Sequence, residues 1–173
     1  MLPVCVPEMP TPLPRRVGEW HDRRRMIALI QRVNHAEVTV GDRLVGRIGH
    51  GLLALVGVRA ADAPASASRL LERVLAYRVF PDGEGRMNRS LADTGGGLLL
   101  VPQFTLAADT RKGNRAGFST AAAPADAQRL FDRLVSEARA RHPHVATGEF
   151  GAHMRVALEN DGPVTFWLEA NAG

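Results

Sequence analysis

Gln103 and Thr105 stand two residues apart at the end of an apolar run, and Arg111, Lys112 and Arg115 follow within ten residues, in "VPQFTLAADTRKGNRAGFS". An amide and a hydroxyl delivered by a strand end can position a polar substrate. Three cations around Gly113 can hold phosphates, helped by exposed backbone amides. The same stretch also reads as a strand end followed by an ordinary solvated loop. A second segment, "GEFGAHMRVALENDGPVTFWLE", carries Gly162-Pro163 where a sheet is expected. Proline donates nothing to a ladder and glycine costs chain entropy, so the dipeptide is either a turn or a rigid piece of main chain presented to something.

Other constellations are missing. The sequence has no GxSxG elbow, no HExxH and no phosphate-binding P-loop. Its six histidines are scattered, and only His153 lies near the Gly-Pro region, so no Ser-His-Asp triad is suggested by spacing. The "HPH" of His142 and His144 is a thin metal signal, and Glu159 and Asp161 read as solvent-facing positions of a strand. Cys5 is the single cysteine, which excludes an intramolecular disulfide and a zinc-thiolate cluster. No metal and no cofactor are expected.

These segments need a scaffold. The 173 residues suit one domain with a tail. Residues 1–25 hold prolines at 3, 7, 10, 12 and 14 and end in three arginines, which reads as a disordered or non-native extension before a domain spanning 26–173. Of 22 basic residues 21 are arginine, and the extension's five basic and three acidic residues lower the net charge from +4 to +2 when removed. A basic balance permits a polyanionic partner without requiring one. "GLLALVGV" is the longest apolar run and is too short to span a bilayer; a cytoplasmic protein is the default expectation.

From Met26 the pattern is strand-rich. "MIALIQRV" reads as a strand, "AEVTVGDRLVGRIG" as a hairpin about Gly41-Asp42, and "GLLALVGV" and "GGGLLLVPQFTL" as buried strands. Apolar residues at helical spacing predict one helix within 62–80 (Leu70, Leu71, Val74, Leu75) and another over 124–141 (Leu130, Phe131, Leu134, Val135). Two final strands are expected near 149–159 and 164–169, with the Gly-Pro between them. The fold class is α+β, mostly antiparallel strands with two covering helices.

The two segments, with "MIALIQRV" and "RMNRSL", resemble the D-aminoacyl-tRNA deacylase family across 26–173. The family's first motif, Ser-Gln-x-x-x, is matched by Pro102-Gln103-Phe104-Thr105-Leu106. Its second, Asn-x-Pro-x-Thr, is matched more loosely by Asn160 to Thr165. The resemblance implies a barrel-like core and a homodimer in which each subunit inserts a cis Gly162-Pro163 into its partner's site. That main chain would exclude an L-aminoacyl side chain while admitting a D-aminoacyl group, or glycine mischarged on tRNA(Ala). It further implies that Arg32 braces the dipeptide, and that a ribose hydroxyl of the RNA helps activate water. Backbone amides near Gln103 and Phe104 would hold the oxyanion; Thr105, Thr165, Phe150 and Met154 would line the site. Arg111, Lys112 and Arg115 would then face tRNA. Pro102 departs from the family serine and brings neither hydroxyl nor N–H. A non-catalytic tRNA-binding module and a small-ester hydrolase using Thr105 or a serine are the competing readings.

Overall fold

The computed structural model describes residues 25–111 and 113–170. In chain order it contains β1 (Met26–Val40), β2 (Arg43–Ile48), β3 (Gly51–Gly57), α1 (Pro64–Ala76), β4 (Phe80–Pro81), β5 (Met87–Arg89), α2 (Leu91–Thr94), β6 (Gly97–Pro102), α3 (Pro124–Arg141), β7 (Val145–Thr147) and β8 (Arg155–Ala170). A 3-10 turn, Phe104–Ala107, follows β6. Apart from Arg25, the expected extension lies outside the described residues.

The main sheet runs β2-β1-β3-β6-β7, with β8 on the other edge of β1. It curls until its outer strands meet: a Cβ added to Gly46 of β2 would lie 2.5 Å from the Thr147 carbonyl oxygen of β7. The result is nearly a barrel. β1 pairs antiparallel with β2, β3 and β8, whereas β3–β6 and β6–β7 are parallel. Each parallel pair is joined by a crossover that carries a helix, α1 after β3 and α3 after β6.

That connectivity explains the unbroken apolar runs of β3 and β6. Leu52, Ala54, Val56, Leu98 and Leu100 pack beneath the helices, against Leu70, Leu71, Val74, Leu130, Phe131 and Leu134. Their alternate neighbours Leu53, Leu99 and Val101 fill the barrel with Val33, Ala36, Val38 and Ile48. Both faces of these strands are buried, so the period-2 polar signal is lost. Each fully buried Leu contributes about 1.5–3 kcal/mol.

α3 spans the predicted residues, and α1 occupies the centre of its predicted window with the expected inward face. The short α2 was not expected. Its start is a reciprocal cap, in which Ser90 Oγ accepts the Asp93 N–H at 3.2 Å and Asp93 Oδ2 accepts the Ser90 N–H at 2.8 Å. The expected pair of final strands is a correction. Residues 149–154 form no strand, and β8 is one strand paired with β1 on both sides of the Gly-Pro region. Gln31 faces Thr165 and Val33 faces Asn160, so residues 161–164 bulge out of a ladder that resumes on both sides.

Candidate active site

β6 delivers the first segment. The Gln103 N–H continues the parallel ladder by donating to the Val56 carbonyl at 2.7 Å, and the chain then turns at Phe104–Ala107. The turn can sit against β3 because position 57 is glycine: a Cβ there would be 2.9 Å from Leu106 Cβ and 3.3 Å from the Gln103 oxygen. Gln103 Nε2 donates to Thr105 Oγ1. The first amide with an acceptor inside the turn is that of Leu106, to Gln103 O at 3.2 Å. The amides of Phe104 and Thr105 precede it and, as at any helix start, have no acceptor within the turn. The Gln103 amide, expected among the oxyanion donors, is already committed to Val56.

Pro102 packs beside the loop that follows β7. Gly148 donates its N–H to Leu100 O at 2.8 Å, and a Cβ on Gly148 would lie 2.8 Å from Met154 Sδ and 3.3 Å from Pro102 Cδ. Met154 Sδ also accepts the Glu149 N–H at 3.3 Å, which folds residues 149–154 back over the strand end. Phe150 stands 6.4 Å from the Phe131 ring and packs on the helix-side core. Phe104 is 59% exposed and its ring lies 5.1 Å from that of Phe118, itself 45% exposed.

The basic loop adjoins this turn through Thr120, whose hydroxyl donates to Ala107 O. Asp109 and Gly117 exchange both backbone hydrogen bonds and close the loop's neck. Arg111 Nε donates to Asp109 Oδ1 at 2.8 Å, and this hydrogen bond, followed by the aspartate's charge, raises its pKa above the usual arginine range. Arg115 is exposed across the same hollow, and Lys112 lies outside the described residues.

The Gly-Pro segment is built separately. The Gly162-Pro163 peptide is cis, and both residues are exposed on the β8 bulge. Arg32, only 11% exposed, donates from Nη1 to Val79 O at 2.5 Å and places Nε 2.8 Å from Asp161 Oδ2. The second contact is an ion pair rather than an aligned hydrogen bond. Gly162 has φ +121°, and a Cβ there would lie 3.0 Å from Arg32 Nη2 and 2.7 Å from Val164 Cγ2. Asn160 clamps the bulge: its Oδ1 accepts the Val164 N–H and its Nδ2 donates to Thr165 Oγ1, both at 2.9 Å.

Asn160 and Asp161 were missed as bracing residues, and Asp161 is ion-paired rather than simply solvent-facing. The available signal was an Asn-Asp pair opening a Gly-Pro turn. The structure therefore unites Pro102, Gln103, Phe104, Thr105 and Met154 at one end of the barrel and leaves residues 160–165 elsewhere. Arg32 is level with Leu52 of β3, whereas the Gln103 turn sits against Gly57, five residues along. That offset is roughly 16 Å along the strands.

Among the described residues no group of His, Cys, Asp and Glu could hold a metal ion, and no helix is long and apolar enough to cross a membrane. The hydrogen-bond partner of the Thr105 hydroxyl is an amide nitrogen, which cannot serve as a base.

A family model described as D-Tyr-tRNA(Tyr) deacylase matches residues 29–169. The D-aminoacyl-tRNA deacylase of Thioalkalivibrio sulfidiphilus is 66% identical over 144 residues, covering 83% of this chain and 97% of the relative. That of Azotobacter vinelandii is 66% identical over 145 residues, 84% of this chain and all of the relative. A solved structure described as c-Myc DNA Unwinding Element Binding Protein superposes with TM-score 0.80 at 34% identity, covering 84% of this chain and 99% of that one. Another, of a probable eukaryotic D-amino acid tRNA deacylase, gives TM-score 0.73 at 18% identity over 84% and 99% of the two chains, and so speaks to the fold alone. With the family's two motifs standing at the barrel end and on the β8 bulge, the chain belongs to the D-aminoacyl-tRNA deacylase family and is a hydrolase.

Proposed function

We infer that this protein hydrolyses the ester bond of D-aminoacyl-tRNA, releasing the amino acid and the tRNA, and rejects L-aminoacyl groups by main-chain exclusion. One observation carries the reading: the Gln103 turn and the Gly162-Pro163 bulge of one chain lie well apart along the strands. The Gln103 turn offers amides left without an acceptor inside the turn, but nothing that judges handedness. The braced Gly162-Pro163 bulge is exposed and far from the turn of its own chain. A homodimer that sets the bulge of one subunit over the turn of the other completes the site.

In that arrangement the amides of Phe104 and Thr105 face the ester oxygen as it gains charge during attack by water. Gln103 holds Thr105 in place, and Pro102 and Met154 form the wall behind the ester. Phe150, rooted against Phe131, shapes that wall from beneath, and Thr165 holds Asn160 at the base of the bulge. With no protein base beside Thr105, the ribose hydroxyl next to the ester supplies the help that water needs. The bulge rejects a side chain and so passes glycine, which makes glycyl-tRNA a second substrate. Arg111, Lys112 and Arg115 face the phosphates of the acceptor end. The reaction belongs in the cytoplasm, where tRNA is charged.

The test is to incubate purified protein with D-tyrosyl-tRNA, L-tyrosyl-tRNA and glycyl-tRNA, and to follow the esters. Cleavage of the D- and glycyl-esters with the L-ester spared supports the reading. Equal rates on the D- and L-esters, or none on any, defeat it.

A further inference from the structure

Three arginines converge on Glu169, near the end of β8, at the end of the barrel that carries the Gln103 turn. Arg25 Nη1 and Arg59 Nη2 each approach a different oxygen of the Glu169 carboxylate at 3.3 Å, and Arg73 Nη1 donates to the Glu169 carbonyl. Each guanidinium has five N–H donors, and one long contact apiece leaves most of those of Arg25 and Arg59 unspent. Arg25 is 44% exposed and Arg59 24%. The carboxylates beside them are Glu169 itself and Asp62, whose Oδ2 accepts the Arg59 N–H at 2.7 Å, so cations outnumber anions.

The cluster's place in the fold gives it a use. Ile27 pairs with Gly57, the residue against which the Gln103 turn packs, and Arg25 is two residues further on, about 7 Å. Arg59 bridges to Ala121, and Ala60 N–H donates to Thr120 O at 3.1 Å, which ties the cluster to the basic loop. Resting on the deacylase reading above, we propose that Arg25 and Arg59 form a second phosphate-binding surface that holds the acceptor stem of tRNA while its 3′ end occupies the Gln103 site. Glu169 acts there as a spacer, holding two guanidiniums apart with donors turned outward. A folding clasp alone does not call for more cations than carboxylates at an exposed site beside the loop.

The experiment compares full-length wild type with Arg25→Ala and Arg59→Gln on D-tyrosyl-tRNA and on D-tyrosyl-adenosine, which keeps the ester and ribose but has no stem. The expected result is a KM for D-tyrosyl-tRNA raised roughly three- to tenfold by each substitution, and a salt slope of kcat/KM reduced by about one. The ratio of kcat/KM on tRNA to that on the adenosine ester falls accordingly. Arg47→Ala, at the opposite end of the barrel and paired with Glu37, is the control and keeps the ratio. Should both variants retain wild-type ratio and slope, the surface does not bind the stem. A loss equal on both substrates assigns the arginines to folding and also overturns the proposal. If wild type cleaves neither ester, the deacylase reading falls first and takes the proposal with it.

Discussion

Gly162 stands with φ +121° and Arg32 Nη2 within 3.0 Å of where a methyl group would be. A backbone region that L side chains rarely adopt and a crowded neighbour act together there, so Gly162→Ala has to move the bulge. We expect a stability loss of about 1–3 kcal/mol and a fall of roughly tenfold or more in the preference for D- over L-tyrosyl-tRNA. Thermal unfolding and paired deacylation rates measure the two. Unchanged selectivity would show that the bulge is not the filter. Thr105 makes the opposite prediction. Since its hydroxyl faces an amide nitrogen, Thr105→Ala should leave kcat on D-tyrosyl-tRNA within about tenfold of wild type, far from the loss of a nucleophile. Complete inactivity would revive the small-ester mechanism. Gln103 and Thr105 could be singled out in the sequence because a polar pair ending an apolar run stands out. Asn160 could be placed in the second motif, but not its bracing role, since that lies in reaching Val164 and Thr165 across a bulge that exists only once β8 is paired.

At the scale of elements, the apolar periodicity located both long helices because each buries one stripe. It failed at β8, where Gly-Pro read as a break between two strands. The reason is that β1 supplies an unbroken partner on either side of the interruption, and pairing with that partner outweighs a local turn signal. Asn160 is the residue that reconciles the two, so Asn160→Ala should cost about 1–2 kcal/mol and loosen the rejection of L-tyrosyl-tRNA. Denaturant unfolding and L-ester cleavage read both. The seat of the Gln103 turn offers a second test. A methyl group at position 57 would push on Leu106, so Gly57→Ala should lower kcat by an order of magnitude or more with a smaller effect on KM. A variant with wild-type kcat would mean that the position of the turn is not what the reaction needs.

For the whole molecule, Asp62 links stability to pH. Burial raises its carboxyl from 3.8 to about 6, against the hydrogen bond from the Arg59 backbone that favours the charged form. In the unfolded chain the group ionises near 3.8, so the folded state holds the extra proton between these values. Its contribution to stability is then full below about pH 3.8 and is lost as pH rises through 6. Asp62→Asn should therefore gain in melting temperature relative to wild type on going from pH 4.5 to 7.5. A difference that stays constant across that range would remove Asp62 from the account. Because the Asp62 carboxylate accepts from Arg59, the same titration bears on the cationic cluster at Glu169.

Taken by itself the sequence determined the two long helices, most strands and the family resemblance, because these depend on local spacing and on residue identity. It could not show that β3 and β6 run parallel, since a strand buried on both faces looks the same in either direction. Nor could it show that Arg25, Arg59 and Arg73 meet at Glu169, or that the Gln103 turn and the Gly162-Pro163 bulge stand far apart. Those facts come from register and barrel closure, which join residues more than a hundred positions apart, and only the tertiary structure decides them.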